Sequence, residues 1–175
     1  MTKKEAIEMK QINGDLIKLS LEGNFDVIIH GCNCFCRMGR GIALQIKEIF
    51  PEAFNADKKY SYPGDMNKLG NYSYSIKQLE SSDTRLFKSL DELNQIKNLI
   101  IINAYTQYGH NPIDKPLDYE ALTLCLRKIN NKFAGKTIGL PLIGSGLAGG
   151  NWVIIEEIIK TELKDMDVTI VHYKP

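Results

Sequence analysis

The sequence predicts an α/β fold in which a mixed, largely parallel sheet carries helices on both faces. Three features support this reading. Short apolar runs alternate along the chain with stretches whose apolar residues recur at helical spacing. Two strand-to-helix connections are rich in glycine, at residues 30–41 and 144–150. No internal repeat, low-complexity tract or linker interrupts the alternation, so the strands are expected to share one sheet.

Residues 6–12 have the mixed apolar character of an entering strand, and Asn13-Gly14-Asp15 is a turn signal after it. Residues 16–21 fit either a helix or a strand. Residues 24–26 turn the chain into Val27, Ile28, Ile29 and His30, a continuous run suited to a strand buried on both faces. Beyond the first glycine-containing loop, Ile42, Ile46, Ile49 and Phe50 recur at i, i+4, i+7 and i+8, one face of a helix packed on the sheet. Pro51 ends that helix and can open a second over residues 51–60. Tyr72, Tyr74 and Ile76 alternate as in a strand, whereas residues 81–95 carry no readable pattern. Residues 99–105 form the strongest strand signal, followed by a loop over 106–116 that holds glycine, two prolines and His110. Leu122, Cys125, Leu126, Ile129 and Phe133 share one helix face, and Gly135 closes it. Residues 137–142 then form a strand that runs into the second glycine loop. Trp152, Ile155, Ile158, Ile159 and Leu163 make the next segment an amphipathic helix, and residues 168–173 supply a last strand.

With 175 residues, 43% of them hydrophobic and 25% charged, the chain suits one domain with a sizeable core, spanning residues 1–175. A formal charge of +1 and the lack of a basic stripe argue against a nucleic-acid surface. The charged first ten residues and the lack of a long apolar run point to a cytoplasmic protein with no membrane partner. The four cysteines do not have disulfide-framework spacing, and Cys32, Cys34 and Cys36 alternate sides of an extended chain instead of forming a C-x-x-C knuckle. Reduced thiols and no metal are expected, with Cys125 in the core.

In an open α/β sheet, ligands bind beyond the carboxyl ends of the strands. Glycine loops there let backbone N–H groups approach a phosphate without side chains in the way. Two such loops suit a diphosphate. Neither has the Lys-Ser or Lys-Thr pair of a Walker loop, and neither is a G-x-G-x-x-G element with an acid about 20 residues on, which excludes the common nucleotide triphosphatase and Rossmann patterns.

Asn13-Gly14-Asp15-Leu16, the loop from His30 to Ile42, and Pro141-Leu142-Ile143-Gly144-Ser145-Gly146-Leu147 together resemble a macrodomain, a three-layer α/β/α module that binds ADP-ribose. The resemblance spans nearly the whole chain. Ile28-Ile29-His30-Gly31-Cys32-Asn33-Cys34, with Gly39, Gly41-Ile42-Ala43 and Phe50-Pro51, is most similar to the ADP-ribose-1″-phosphate phosphatases; ADP-ribosyl-protein hydrolases are the near relatives. The resemblance implies that Asp15 accepts the adenine amino group beside the Leu16 backbone. Gly39, Arg40, Gly41 and Ile42 would line one side of the diphosphate, and Gly144, Ser145, Gly146, Leu147 and Ala148 the other. Asn33 would contact the distal ribose and stands with His30 in the catalytic set. The hydrolases use a lysine and an aspartate; no lysine follows in Ile102-Asn103-Ala104-Tyr105, and Ala148 aligns with the aspartate.

His30, which resembles the histidine at this position in the phosphatase branch, is the first catalytic candidate, as nucleophile or general acid–base, with a buried structural histidine as its alternative. Asp15 can equally be a turn residue bonding its own backbone. His110 and Asp114 are further catalytic candidates or solvated loop residues. Ser145 reads as a donor to phosphate, since no triad partner is visible. Tyr60, Tyr62, Tyr72 and Tyr74 read as packing residues more readily than as a base-binding group, and Phe35 or Tyr108 could flank the distal ribose. The expected function is metal-independent conversion of ADP-ribose-1″-phosphate to ADP-ribose by a monomer that needs no cofactor. A non-catalytic ADP-ribose reader and an ADP-ribosyl-protein or nucleic-acid hydrolase are the alternatives.

Overall fold

The computed structural model describes residues 7–79 and 97–174. Its six strands are β1 (Lys10–Gly14), β2 (Val27–Cys32), β3 (Tyr72–Gln78), β4 (Asn98–Tyr105), β5 (Thr137–Leu140) and β6 (Asp167–Tyr173). They form one sheet in the order β1-β6-β5-β2-β4-β3, parallel throughout except for β3, which runs antiparallel to β4 at the edge. The described helices are α1 (Leu16–Leu21), α2 (Gly41–Ile49), α3 (Pro51–Tyr60), α4 (Tyr119–Phe133) and α5 (Trp152–Glu162).

The side-chain alternation of the strands divides the core in two. Val27 and Ile29 of β2, with Ile102 and Ala104 of β4, meet Leu122, Cys125, Leu126 and Ile129 of α4 and Ile155 and Ile159 of α5. On the other face, Ile28 and Ile101 meet Leu16 and Ile17 of α1, Ile46 of α2, and Phe50 and Ala53 around the start of α3. The structure is therefore the mixed, three-layer α/β/α arrangement. Gly139 of β5 lets α1 sit close, because a Cβ there would lie 2.8 Å from Leu16 and 2.9 Å from Phe25.

Asn13 and Gly14 continue β1 instead of turning, because pairing with β6 runs on to Gly14 and Tyr173. The turn falls at Asp15, whose carboxylate caps α1. Residues 16–21, ambiguous in sequence, become that helix. The face expected for α2 holds at Ile46 and Phe50 but not at Ile49, which is 44% exposed where the helix ends and Pro51 starts α3. The helix face of α4 is buried as expected, and Gly135 follows it at φ +84°. Tyr72 and Tyr74 pack with Phe133, and Tyr60 with Tyr105. Residues 81–95 lie outside the described residues. No described helix is long and apolar enough to cross a membrane.

Candidate functional site

The site begins where two strands part. β2 pairs with β4 along its whole length, from Val27↔Ile100 to Cys32↔Tyr105, but with β5 only at Val27↔Ile138 and Ile28↔Gly139. After β2 the chain proceeds toward β4 and β3, and after β5 toward β6, so the strand order reverses between them. A cleft of about 510 Å³ opens there, within the usual size range for small-ligand sites.

One wall is the loop from Asn33 into α2. The Asn33 amide folds it: Oδ1 accepts the N–H of Phe35 (2.9 Å) and of Arg37 (3.4 Å), while Nδ2 donates to the Arg37 carbonyl (2.8 Å). The main chain of Cys34 is clamped to Tyr108 and Gly64. Arg40 is the N-cap of α2 and gives it no side-chain cap, so the first N–H groups of this nine-residue helix are free of side-chain partners at the cleft. Gly41 starts the helix at φ +55°. The opposite wall is the loop after β5. Gly150 fits because a Cβ would lie 2.2 Å from Leu117, and Gly144 (φ +75°) because one would lie 2.9 Å from the same side chain.

Asn33, Gly39, Arg40, Gly41, Ile42, Gly144, Gly146, Leu147, Ala148 and His110 line the cleft; Asp15, Leu16, His30, Asp114 and Ser145 do not. Asp15 and Leu16 lie beyond the end of β1, two strands away from β5. Asp15 Oδ1 accepts the N–H of Ile17 (2.9 Å) and Lys18 (3.1 Å). Ser145 Oγ donates to the Leu142 carbonyl at 2.9 Å, and Asp114 is exposed. Sequence reasoning gave no role to Gly31, Cys32, Arg37, Thr106, Gln107 or Pro141, which line the cleft because they end or follow the diverging strands.

His30, the first catalytic candidate, is not among the residues lining the cleft. Alternation along β2 places it with Ile28 on the side of α2 and α3, where it is fully buried. Its Nε2 lies 2.7 Å from Asn103 Oδ1, and burial pushes its pKa down to about 4 despite that bond and the Asp57 charge. A chain of buried polar groups continues from there. Asn103 Nδ2 donates to the Ala53 carbonyl and to Ser73 Oγ, Ser73 bonds Tyr105, and Tyr105 donates to Asp57 Oδ1 at 2.8 Å. Lys68, fully buried, closes the chain with Nζ 2.9 Å from Asp57 Oδ1 and 3.1 Å from Cys36 Sγ. Burial opposes its charge, yet the hydrogen bonds to Asp57 and Cys36 hold its pKa above the ordinary lysine value. This network fastens the cleft loop to the sheet from behind. Burial also keeps the Cys32 thiol protonated, its pKa raised well above the ordinary value.

The charge of the cleft has one sign. Arg37 and Arg40 line it, His110 stands at its edge against Phe35 (5.8 Å between ring centres), and among the described residues no carboxylate or lysine lines it. Two loops with open backbone donors, two guanidinium groups and a helix N-terminus make a site for a compact polyanion.

No family model matches the chain. The fold matches the macrodomain of Mycobacterium tuberculosis DarG with a TM-score of 0.60, at 21% identity over 96% of this chain and 99% of that one. It also matches Thermosipho africanus DarTG, whose structure is a complex with ADP-ribose, with a TM-score of 0.64 at 17% identity, over 96% of this chain and 42% of that one. The chain thus has the macrodomain fold. It belongs to the family of the 17.5 kDa protein of the tk-vs intergenic region of Enterobacteria phage T4, to which it is 36% identical over 171 residues, 95% of this chain and 97% of the phage protein. A DNA ADP-ribosyl glycohydrolase of Mycobacterium tuberculosis is 26% identical over 164 residues, 93% of this chain; the match spans 41% of that longer protein.

Proposed function

We propose that the cleft binds ADP-ribose and that the protein dephosphorylates ADP-ribose-1″-phosphate without a metal. The observation that carries this reading is a cleft whose only formal charges among the described residues are Arg37 and Arg40, set between two glycine loops at the strand-order reversal. The diphosphate lies between Gly39, Arg40, Gly41 and Ile42 on one side and the loop 144–148 on the other. Adenine extends toward Asp15, where Oδ1 caps α1 and the second carboxylate oxygen accepts the amino group. The terminal ribose reaches Asn33 and the end of β4.

His30 is too deeply buried to meet the phosphate, so the proton falls to His110, the one imidazole among the described residues that line the cleft. Water forms the new P–O bond as the bond to the 1″-oxygen breaks, the water's proton passes to an oxygen of the released phosphate, and His110 delivers a proton to the leaving oxygen and regains one from solvent. The Arg groups and helix N–H groups hold the phosphate charge throughout. A second reading, release of ADP-ribosyl groups from DNA, is favoured by the 26% identity to the glycohydrolase, but it lacks a lysine or carboxylate lining the cleft.

Calorimetry with ADP-ribose, alongside phosphate release from the 1″-phosphate in EDTA, tests both parts. Binding with turnover is expected. Binding without turnover would make the protein a reader, or a hydrolase if ADP-ribosylated DNA is cleaved in a parallel assay. Absence of binding overturns the reading.

A further inference from the structure

Thr106, the first residue after β4, lines the cleft floor and is fully buried, yet no protein donor or acceptor among the described residues reaches its Oγ1. Such orphaned hydroxyls are uncommon, because burial removes water without replacing its hydrogen bonds. The neighbouring backbone aims this one. Thr106 N donates to the Ala104 carbonyl and the Thr106 carbonyl accepts from Asp118, the N-cap of α4, both at 2.9 Å. The residue facing it is Gly31, where a Cβ would lie 2.9 Å from Oγ1 and 3.5 Å from Ile143. Only a residue without a side chain leaves room between the hydroxyl and the cleft.

The sheet order states which part of a ligand meets this point. Asp15 follows β1, the second glycine loop follows β5, Asn33 follows β2 and Thr106 follows β4. From β1 to β4 is four strand spacings, about 19 Å. An extended ADP-ribose with adenine at Asp15 and diphosphate at the β5/β2 gap brings its terminal ribose to Thr106.

Resting on the ADP-ribose reading above, we infer that Thr106 Oγ1 is a ligand-binding group for the terminal ribose, hydrogen-bonded to an oxygen at or beside the anomeric carbon. Ile143, packed beside Gly31, shifts to uncover it as the ligand seats. The hydroxyl is thus a group the free protein leaves unbonded and the complex satisfies.

Thr106→Val keeps the shape and deletes the hydroxyl, and Thr106→Ser restores it. Thermal melts of the ligand-free proteins and ADP-ribose titrations of all three, with AMP as a probe lacking the terminal ribose, test the inference. The expected result is a valine variant that melts at or above the wild-type temperature, binds ADP-ribose about tenfold more weakly and binds AMP as wild type does, with the serine variant recovering affinity. Unchanged ADP-ribose affinity in Thr106→Val, an equal loss for AMP, or a ligand-free melting temperature several degrees lower would overturn it. A wild-type protein that fails to bind ADP-ribose would instead overturn the underlying reading, and this inference with it.

Discussion

His30 Nε2 and Asn103 Oδ1 lie 2.7 Å apart in the core, and the pairing fixes the state of both groups. Asn103 spends its amide hydrogens on the Ala53 carbonyl and Ser73 Oγ, so Oδ1 must accept and His30 Nε2 must carry a proton. Neutral histidine needs no more than this, and the Cys32 sulfur lies beside the ring, 3.5 Å from Nε2 and 3.7 Å from Nδ1. The histidine that the family resemblance nominates for chemistry is buried and neutral, bonded within the fold.

A pH dependence of stability follows. The His30 pKa is near 4 when folded and near its ordinary value of 6.5 when unfolded. Between those values the unfolded chain binds the extra proton, so lowering the pH from 6.5 to 4 should remove about 3 kcal/mol of stability. His30→Gln keeps an N–H donor for Asn103 and does not titrate. Urea denaturation of both proteins across this window should show a shallower acid loss in the variant; parallel curves would place the histidine in water.

Lys68 and Asp57 are buried partners, at 0% and 1% side-chain exposure. Lys68→Met leaves the Asp57 charge without its cation, and the expected cost is about 3–5 kcal/mol. Hydrogen exchange should show the loop at Cys34–Arg37 losing protection together with Tyr105, because Cys36 and Tyr105 hang on the same pair.

The cleft glycines divide into two kinds. At Gly39 and Gly146 an added Cβ meets nothing within 4 Å, and neither has positive φ. Gly39→Ala and Gly146→Ala should therefore melt within about 2 °C of wild type, while ADP-ribose affinity falls as the methyl group holds off the diphosphate. At Gly150 the same methyl would lie 2.2 Å from Leu117 and 2.6 Å from the Gly144 carbonyl, so Gly150→Ala should lower the melting temperature itself.

Charge and proton transfer in the cleft separate by residue. Arg37→Ala and Arg40→Ala should each weaken ADP-ribose binding about tenfold, and the wild-type affinity should fall as salt is raised. His110→Ala should keep ADP-ribose affinity and lose phosphate release from the 1″-phosphate; full turnover by this variant would exclude the imidazole from the reaction.

Asp15→Ala removes the two N-cap bonds of α1, at an expected cost of about 1 kcal/mol in chemical denaturation. Weaker binding of ADP-ribose but not of ribose-5-phosphate would place adenine beside this residue.

The sequence by itself determined the alternation of strands and helices, the buried face of α4 and the two glycine loops. Each is written in local spacing, where period 2, period 3.6 and glycine act within a few residues. Local spacing also offered Asp15 as a turn residue bonding its own backbone, but that the bonds cap a helix was not legible, because residues 16–21 fit helix or strand equally. Only the tertiary structure decided which face of β2 meets the cleft. His30 and Gly31 are adjacent in the chain but point to opposite sides of the sheet, and the identity of each side depends on which helices cross over it. Pairing of Lys68 with Asp57 joins residues 11 apart around a turn, and no periodicity records it. The cleft itself exists because β2 and β5, separated by more than 100 residues of chain, stop pairing after two positions. That register is set by the packing of helices on both faces, which local spacing does not encode.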